Sequence, residues 1–109
     1  MALQKVSKFK LNQQGGYVCR TEFVYMDENG QTAHSKQTDN ELLGQSYTTS
    51  PGSLGVPDGS TVWMKIWVMA GNDNQASQAF IYDSSSSLTA EYTCSGTTLA
   101  NHLALDGVN

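Results

Sequence analysis

The clearest alternation in the chain lies in residues 61–69, Thr-Val-Trp-Met-Lys-Ile-Trp-Val-Met. Val62, Met64, Ile66 and Val68 fall on one face at period two, while Trp63, Lys65 and Trp67 fall on the other. This β-branched and aromatic run is opened by Asp58-Gly59 and closed by Gly71-Asn72, so it predicts one long strand. Its aliphatic face supplies a core. Two readings stand for the indole face. It is either a second buried side with Lys65 snorkelling at its end, or an exposed aromatic shelf for a sugar, a lipid or a second subunit.

Shorter strand-like runs flank this one, separated by Gly, Pro, Asn and Ser clusters. Residues 6–12 set Phe9 and Leu11 against alternating lysines, and Gln13-Gln14-Gly15-Gly16 ends the run. Residues 17–26 alternate again and lead into Asp27-Glu28-Asn29-Gly30, whose Asn-Gly pair is a strong hairpin signal. The return run, 31–37, is polar on both faces and suits a sheet edge. Residues 39–43 are the one candidate for a short helix. A short strand is expected at 47–50, turns at Pro51-Gly52 and Pro57-Asp58-Gly59, and further strands at 78–83 and 88–95. Residues 71–77 and 96–102 read as loops, after which Leu103 and Leu105 return to the apolar surface. The pattern predicts an all-β fold, an antiparallel β-sandwich, in a single domain over residues 1–109.

Length and composition agree with one modest core: 109 residues, 39% hydrophobic and 9% aromatic. Charged residues make up only 15%, so Ser, Thr, Asn and Gln form the polar surface, as is common in extracellular and sugar-handling β proteins. The net charge of −4 argues against a nucleic-acid partner, which needs a basic stripe to neutralise phosphates. Lys5, Lys8 and Lys10 are half of the basic residues and fit the solvated side of a first strand. The N-terminal residues contain no apolar run of signal-peptide length, so the expectation is cytoplasmic synthesis, with release to act outside the cell as an option. Cys19 and Cys94 allow one disulfide or two buried thiols, the latter favoured; their spacing suggests neither metal nor redox chemistry.

Catalysis requires a nucleophile with a base, a carboxylate pair or metal ligands. His34 sits in a polar edge run and His102 in a loop near the C-terminus, each read as a surface residue. Asp73 and Asp83 lack partners at metal-ligand spacing, and Ser84 to Ser87 form a linker without a nucleophile elbow. No Gly-rich phosphate cradle precedes a helix. The expectation is a non-enzymatic chain with no metal and no cofactor.

Three landmarks in order carry a resemblance: Gly15-Gly16-Tyr17-Val18-Cys19, the central run Val62-Trp63-Met64-Lys65-Ile66, and Gly96-Thr97-Thr98-Leu99, with Tyr47-Thr48-Thr49 between the first two. Over residues 15–99 the chain resembles the C-terminal membrane-recognition domain of the thiol-activated, cholesterol-dependent cytolysins and the small free-standing proteins like it. The resemblance implies a β-sandwich whose loops at one end touch the bilayer, with Thr98 and Leu99 at the sterol-contacting Thr-Leu pair. It also implies tip loops at Gly15-Gly16, at Gly44-Gln45-Ser46 and across residues 68–78. The last of these departs from the family pattern. Met69 stands where the family has a cysteine, the tryptophans are replaced by Asn, Asp and Gln, and Ser95 replaces the Trp before Gly-Thr-Thr-Leu.

Two functions follow as expectations. In the first, the chain is a recognition module that binds a glycan or membrane surface through one end of the sandwich, as a toxin or defence component would. Gly16, Asn72, Asp73, Asn74, Gln75, Thr98 and Leu99 then form the site, with the loop amides supplying groups of the kind sugars use. In the second, the chain is a structural or assembly protein that pairs with a second copy or another chain through Trp63, Lys65 and Trp67.

Overall fold

The alternation at residues 61–69 is realised as a strand, Thr61–Val68, in the middle of a sheet. Val62, Met64 and Ile66 are fully buried, whereas Trp63, Lys65 and Trp67 are half-buried on the opposite face. The structure is a computed structural model and describes residues 2–109. In chain order its strands are β1 (Lys5–Val6), β2 (Lys8–Gln13), β3 (Cys19–Met26), β4 (Thr32–His34), β5 (Ser46–Thr49), β6 (Thr61–Val68), β7 (Asn74–Gln75), β8 (Phe80–Tyr82), β9 (Thr89–Gly96) and β10 (Asn101–Val108). A single 3₁₀ turn, Pro51–Leu54, is the helical content among the described residues.

Two sheets pack face to face. One has the order β1-β8-β6-β3-β4, with β7 also paired to β6, and the other the order β10-β9-β2-β5. Most pairings are antiparallel, but β1 with β8 and β2 with β9 are parallel. The parallel pairs arise because the N-terminal run, expected as one strand over 6–12, breaks at Ser7 and passes from one sheet to the other. The Ser7 amide, donating to the Leu88 carbonyl at 3.0 Å, fixes that corner. Phe9 lies near the middle of the core, with ring centroids 4.9 Å from Phe23, 5.8 Å from Phe80 and 6.1 Å from Tyr92. Inward residues of both sheets meet there, so the core is one continuous layer.

Other elements also differ from the sequence expectation, among them residues 74–75, expected within a loop but paired with β6 as β7. Residues 39–43 form no helix: Glu41 makes a lone β-bridge to Cys19, and the chain then loops outward. The segment expected to end in a loop and two stray leucines is instead an eight-residue edge strand, β10. Its pairing with β9 is offset by an irregularity between Leu105 and Gly107.

Candidate functional site

At one end of the sandwich β2, β6 and β9 finish while β3 and β10 begin, so four connections converge there: residues 14–18, 40–45, 69–73 and 97–100. Gln13, fully buried, organises the first of them. Its amide nitrogen donates to the Tyr17 carbonyl at 2.5 Å, and its Oε1 accepts the Gly15 N–H at 2.6 Å. The Gly16 N–H donates to the Gly96 carbonyl at 2.9 Å and the Tyr17 hydroxyl to that of Ser95 at 3.0 Å, tying residues 14–18 to the end of β9. The Gly44 N–H donates to the Gln13 carbonyl at 2.7 Å, which brings in the second loop.

The loop rich in Asn and Asp is pinned to its neighbour. Asn72 N–H donates to the Thr98 carbonyl at 2.9 Å and Asn72 Nδ2 to that of Leu99 at 3.1 Å. Asn101 Nδ2 returns to the Asn72 carbonyl at 2.6 Å, and Asn74 Nδ2 reaches Asn101 Oδ1 at 2.9 Å. Asp73 accepts the Val68 N–H at 3.2 Å and pairs with Lys65 at 3.7 Å. Approach of the two loops depends on Gly71, since a Cβ there would stand 2.2 Å from the Thr98 carbonyl oxygen. Ala70, just before it, holds φ at 55°, in the left-handed region where a side chain costs about 1 kcal/mol or more. These amides therefore serve the frame of the tip first.

Gly16, Asn72, Asp73, Asn74, Thr98 and Leu99 thus lie together at this end. Gln75 is exposed on β7 beside Lys65. Trp63, Lys65 and Trp67 lie on the outer face of the six-stranded sheet instead, with the Arg20 guanidinium 5.0 Å from the Trp67 ring. His34 Nδ1 is 3.1 Å from Glu22 Oε2 on the same sheet, and His102 is exposed on β10.

Sequence reading placed Leu99 at the tip but missed the rest of its apolar part. Leu42 and Leu43 project from the second loop at 50% and 57% exposure, Met69 from the end of β6 at 40%, and Leu99 at 70%. The available signal was a pair of adjacent leucines ahead of Gly44 in an otherwise polar stretch. The four loops contain no Lys or Arg. Glu41, at the foot of the leucines, is buried and accepts the Thr21 hydroxyl at 2.6 Å; burial pushes its carboxyl above the ordinary range, opposed by that hydrogen bond. A concavity of about 510 Å³ lies at the far end between the 26–29 turn and residues 57–61. Two of its three carboxylates have structural partners: Asp27 accepts the Asn29 and Gln31 amides and Asp58 the Ser84 amide.

No protein-family description matches the chain, and no curated protein sequence does. Solved structures do. Pneumolysin, described as a sugar-binding protein, aligns over 94% of this chain and 23% of its own, at 13% identity and a TM-score of 0.52. The chain shares the fold of a cytolysin domain. The isolated membrane-binding domain of pneumolysin aligns over 93% of this chain and 96% of its own, at 12% identity and a TM-score of 0.45. Suilysin from Streptococcus suis aligns over 93% and 23%, at 18% identity and 0.45. In fold the chain resembles a domain of the cholesterol-dependent cytolysins, and it spans less than a quarter of the length of the whole toxins.

Proposed function

We propose that this cytolysin-like sandwich is a non-enzymatic module that docks on a lipid surface through its four-loop tip. The observation that carries the reading is the gathering of Leu42, Leu43, Met69 and Leu99 at one end, all exposed, on loops cross-linked by backbone and amide hydrogen bonds. Apolar side chains on a braced frame lose little conformational freedom when lipid covers them. The N–H groups of Gly44, Met69 and Asn72 and the side-chain amides of Asn72 and Asn101 already hold partners, so entering the headgroup region strands fewer groups than an open Asn-rich loop would. Thr98 beside Leu99 offers a hydroxyl next to an apolar wedge, the pairing a sterol would use. With no basic residue in the tip loops, attraction to anionic lipid contributes little, and a neutral surface suffices. The reading places the module outside the cell that makes it, as a toxin or defence component.

Flotation with phosphatidylcholine vesicles, with and without cholesterol, tests this. Co-flotation in low-ionic-strength buffer that persists in high salt supports it, and more protein floating with cholesterol assigns the Thr98-Leu99 contact. Folded protein that stays with the soluble fraction at millimolar lipid refutes it. A glycan reading draws on pneumolysin being described as sugar-binding and on the exposed Asn72 and Gln75 at the rim of the tip. A glycan array separates it from the lipid reading.

A further inference from the structure

Cys19 and Cys94 are separated by most of the chain, yet the fold brings them together beneath the tip. Cys19 opens β3 in one sheet, and Cys94 lies near the end of β9 in the other. Both are fully buried, and both are free thiols. One small set of groups surrounds the pair. Cys94 Sγ donates to Gln13 Oε1 at 3.5 Å, Gln13 Nε2 reaches the Glu41 carbonyl at 3.5 Å, and that carbonyl accepts the Cys19 N–H at 3.2 Å. Both side chains point into the core between the sheets and share this set of neighbours. Inward side chains from facing sheets of a sandwich can approach closely enough for a disulfide, as the inter-sheet bridge of immunoglobulin domains demonstrates.

We propose that Cys19 and Cys94 form a reversible disulfide that ties the two sheets together at the base of the tip, with a small-molecule disulfide as oxidant. Access comes by local opening of the 40–45 loop, whose bonds to Cys19, Thr21 and Gln13 break first. Cys94 is the first nucleophile. The neighbouring Cys19 favours its thiolate, whereas Cys94 and burial push the Cys19 thiol up. The Cys94 thiolate attacks one sulfur of the reagent, whose S–S bond breaks and releases one thiolate. Cys19 then loses its proton and attacks Cys94 Sγ, releasing the second. Two protein S–H bonds become one S–S bond, and the reagent disulfide leaves as two thiols carrying the two protons. Oxidation also removes the Cys94 S–H donor from Gln13, the side chain that shapes residues 14–18. This inference goes beyond the lipid-docking reading and does not depend on it.

The test is refolding from denaturant in a buffer of reduced and oxidised glutathione, followed by intact mass and free-thiol titration under denaturing conditions. The expected product is a monomer lighter by two hydrogen atoms with no titratable thiol. Its melting temperature should lie above that of the reduced protein by roughly 10 °C or more, because the bond closes a loop of most of the chain. Dithiothreitol should reverse both changes. Cys19→Ser and Cys94→Ser should each abolish the glutathione-dependent rise while keeping the reduced protein's far-UV spectrum. A folded product that keeps both thiols, carries two glutathiones, or pairs between molecules overturns the proposal. So does a Cys19→Ser variant whose melting temperature still rises on oxidation.

Discussion

Replacing Leu42 and Leu43 with serine probes the tip without disturbing the core, because neither side chain is part of it. Burying a whole leucine side chain yields about 1.5–3 kcal/mol. Leu42, Leu43 and Leu99 retain 50%, 57% and 70% of their exposure. Lipid can therefore still cover half to two-thirds of each, roughly 1–1.5 kcal/mol apiece. With a smaller share from Met69, the tip supplies roughly 4–5 kcal/mol, a dissociation constant of about 0.2–1 mM in lipid. That is slightly weaker than one myristoyl chain, so docking is reversible and needs millimolar lipid to be seen. Removing both leucines subtracts roughly 2–3 kcal/mol, a loss of about 30- to 150-fold. Isothermal titration of vesicles into protein, with thermal melts as control, measures it. Unaltered binding by a double variant that melts like the wild type would refute the tip as the contact surface.

Other consequences follow from the frame. Gly71→Ala would set a methyl group against the Thr98 carbonyl and force the 69–73 and 97–100 loops apart; a loss of roughly 1–3 kcal/mol in urea unfolding is expected, and an unchanged midpoint would deny the close approach. The Tyr92 hydroxyl is buried without a partner among the described residues, so Tyr92→Phe should be neutral or stabilising by up to about 1 kcal/mol, while a clear loss of stability would reveal a partner for it. The buried Glu41 carboxyl is raised above its ordinary value of about 4.5, burial being the main cause. The native state then holds that proton more tightly than the unfolded chain. The contribution is complete below the unfolded value and is lost as pH rises through the folded one. Glu41→Gln cannot ionise, so its stability relative to wild type should improve from pH 4 to pH 8; a difference independent of pH would contradict this.

How legible these features were depends on the range of the forces that set them. β6 announced itself because both of its faces follow a two-residue period that burial enforces along the whole strand. β10 did not: as an edge strand it half-buries Leu103 and Leu105, exposes His102, Ala104 and Asp106, and carries an irregularity near Gly107. Without a fully buried face its alternation is too weak to separate from a loop. Resemblance to the cytolysin domain located Gly16, Thr98 and Leu99, and the structure gathers them at one end. The Asn-rich loop read as a set of free sugar-binding groups, because its partners in residues 98–101 stand more than 25 positions away. Leu42 and Leu43 sat in what looked like a short helix; only the bridge from Glu41 to Cys19 turns them outward. The shared surroundings of Cys19 and Cys94 are likewise a product of sheet packing that no local spacing encodes.

Amide NMR spectra of the isotope-labelled protein, recorded with phosphatidylcholine–cholesterol nanodiscs carrying a paramagnetic lipid, would locate the contact residue by residue. Line broadening should concentrate at residues 15–17, 42–44, 69–72 and 97–100 and fade along β3 and β6. Broadening centred instead on Trp63 and Trp67, or on the 26–29 turn at the far pole, would contradict a docking tip.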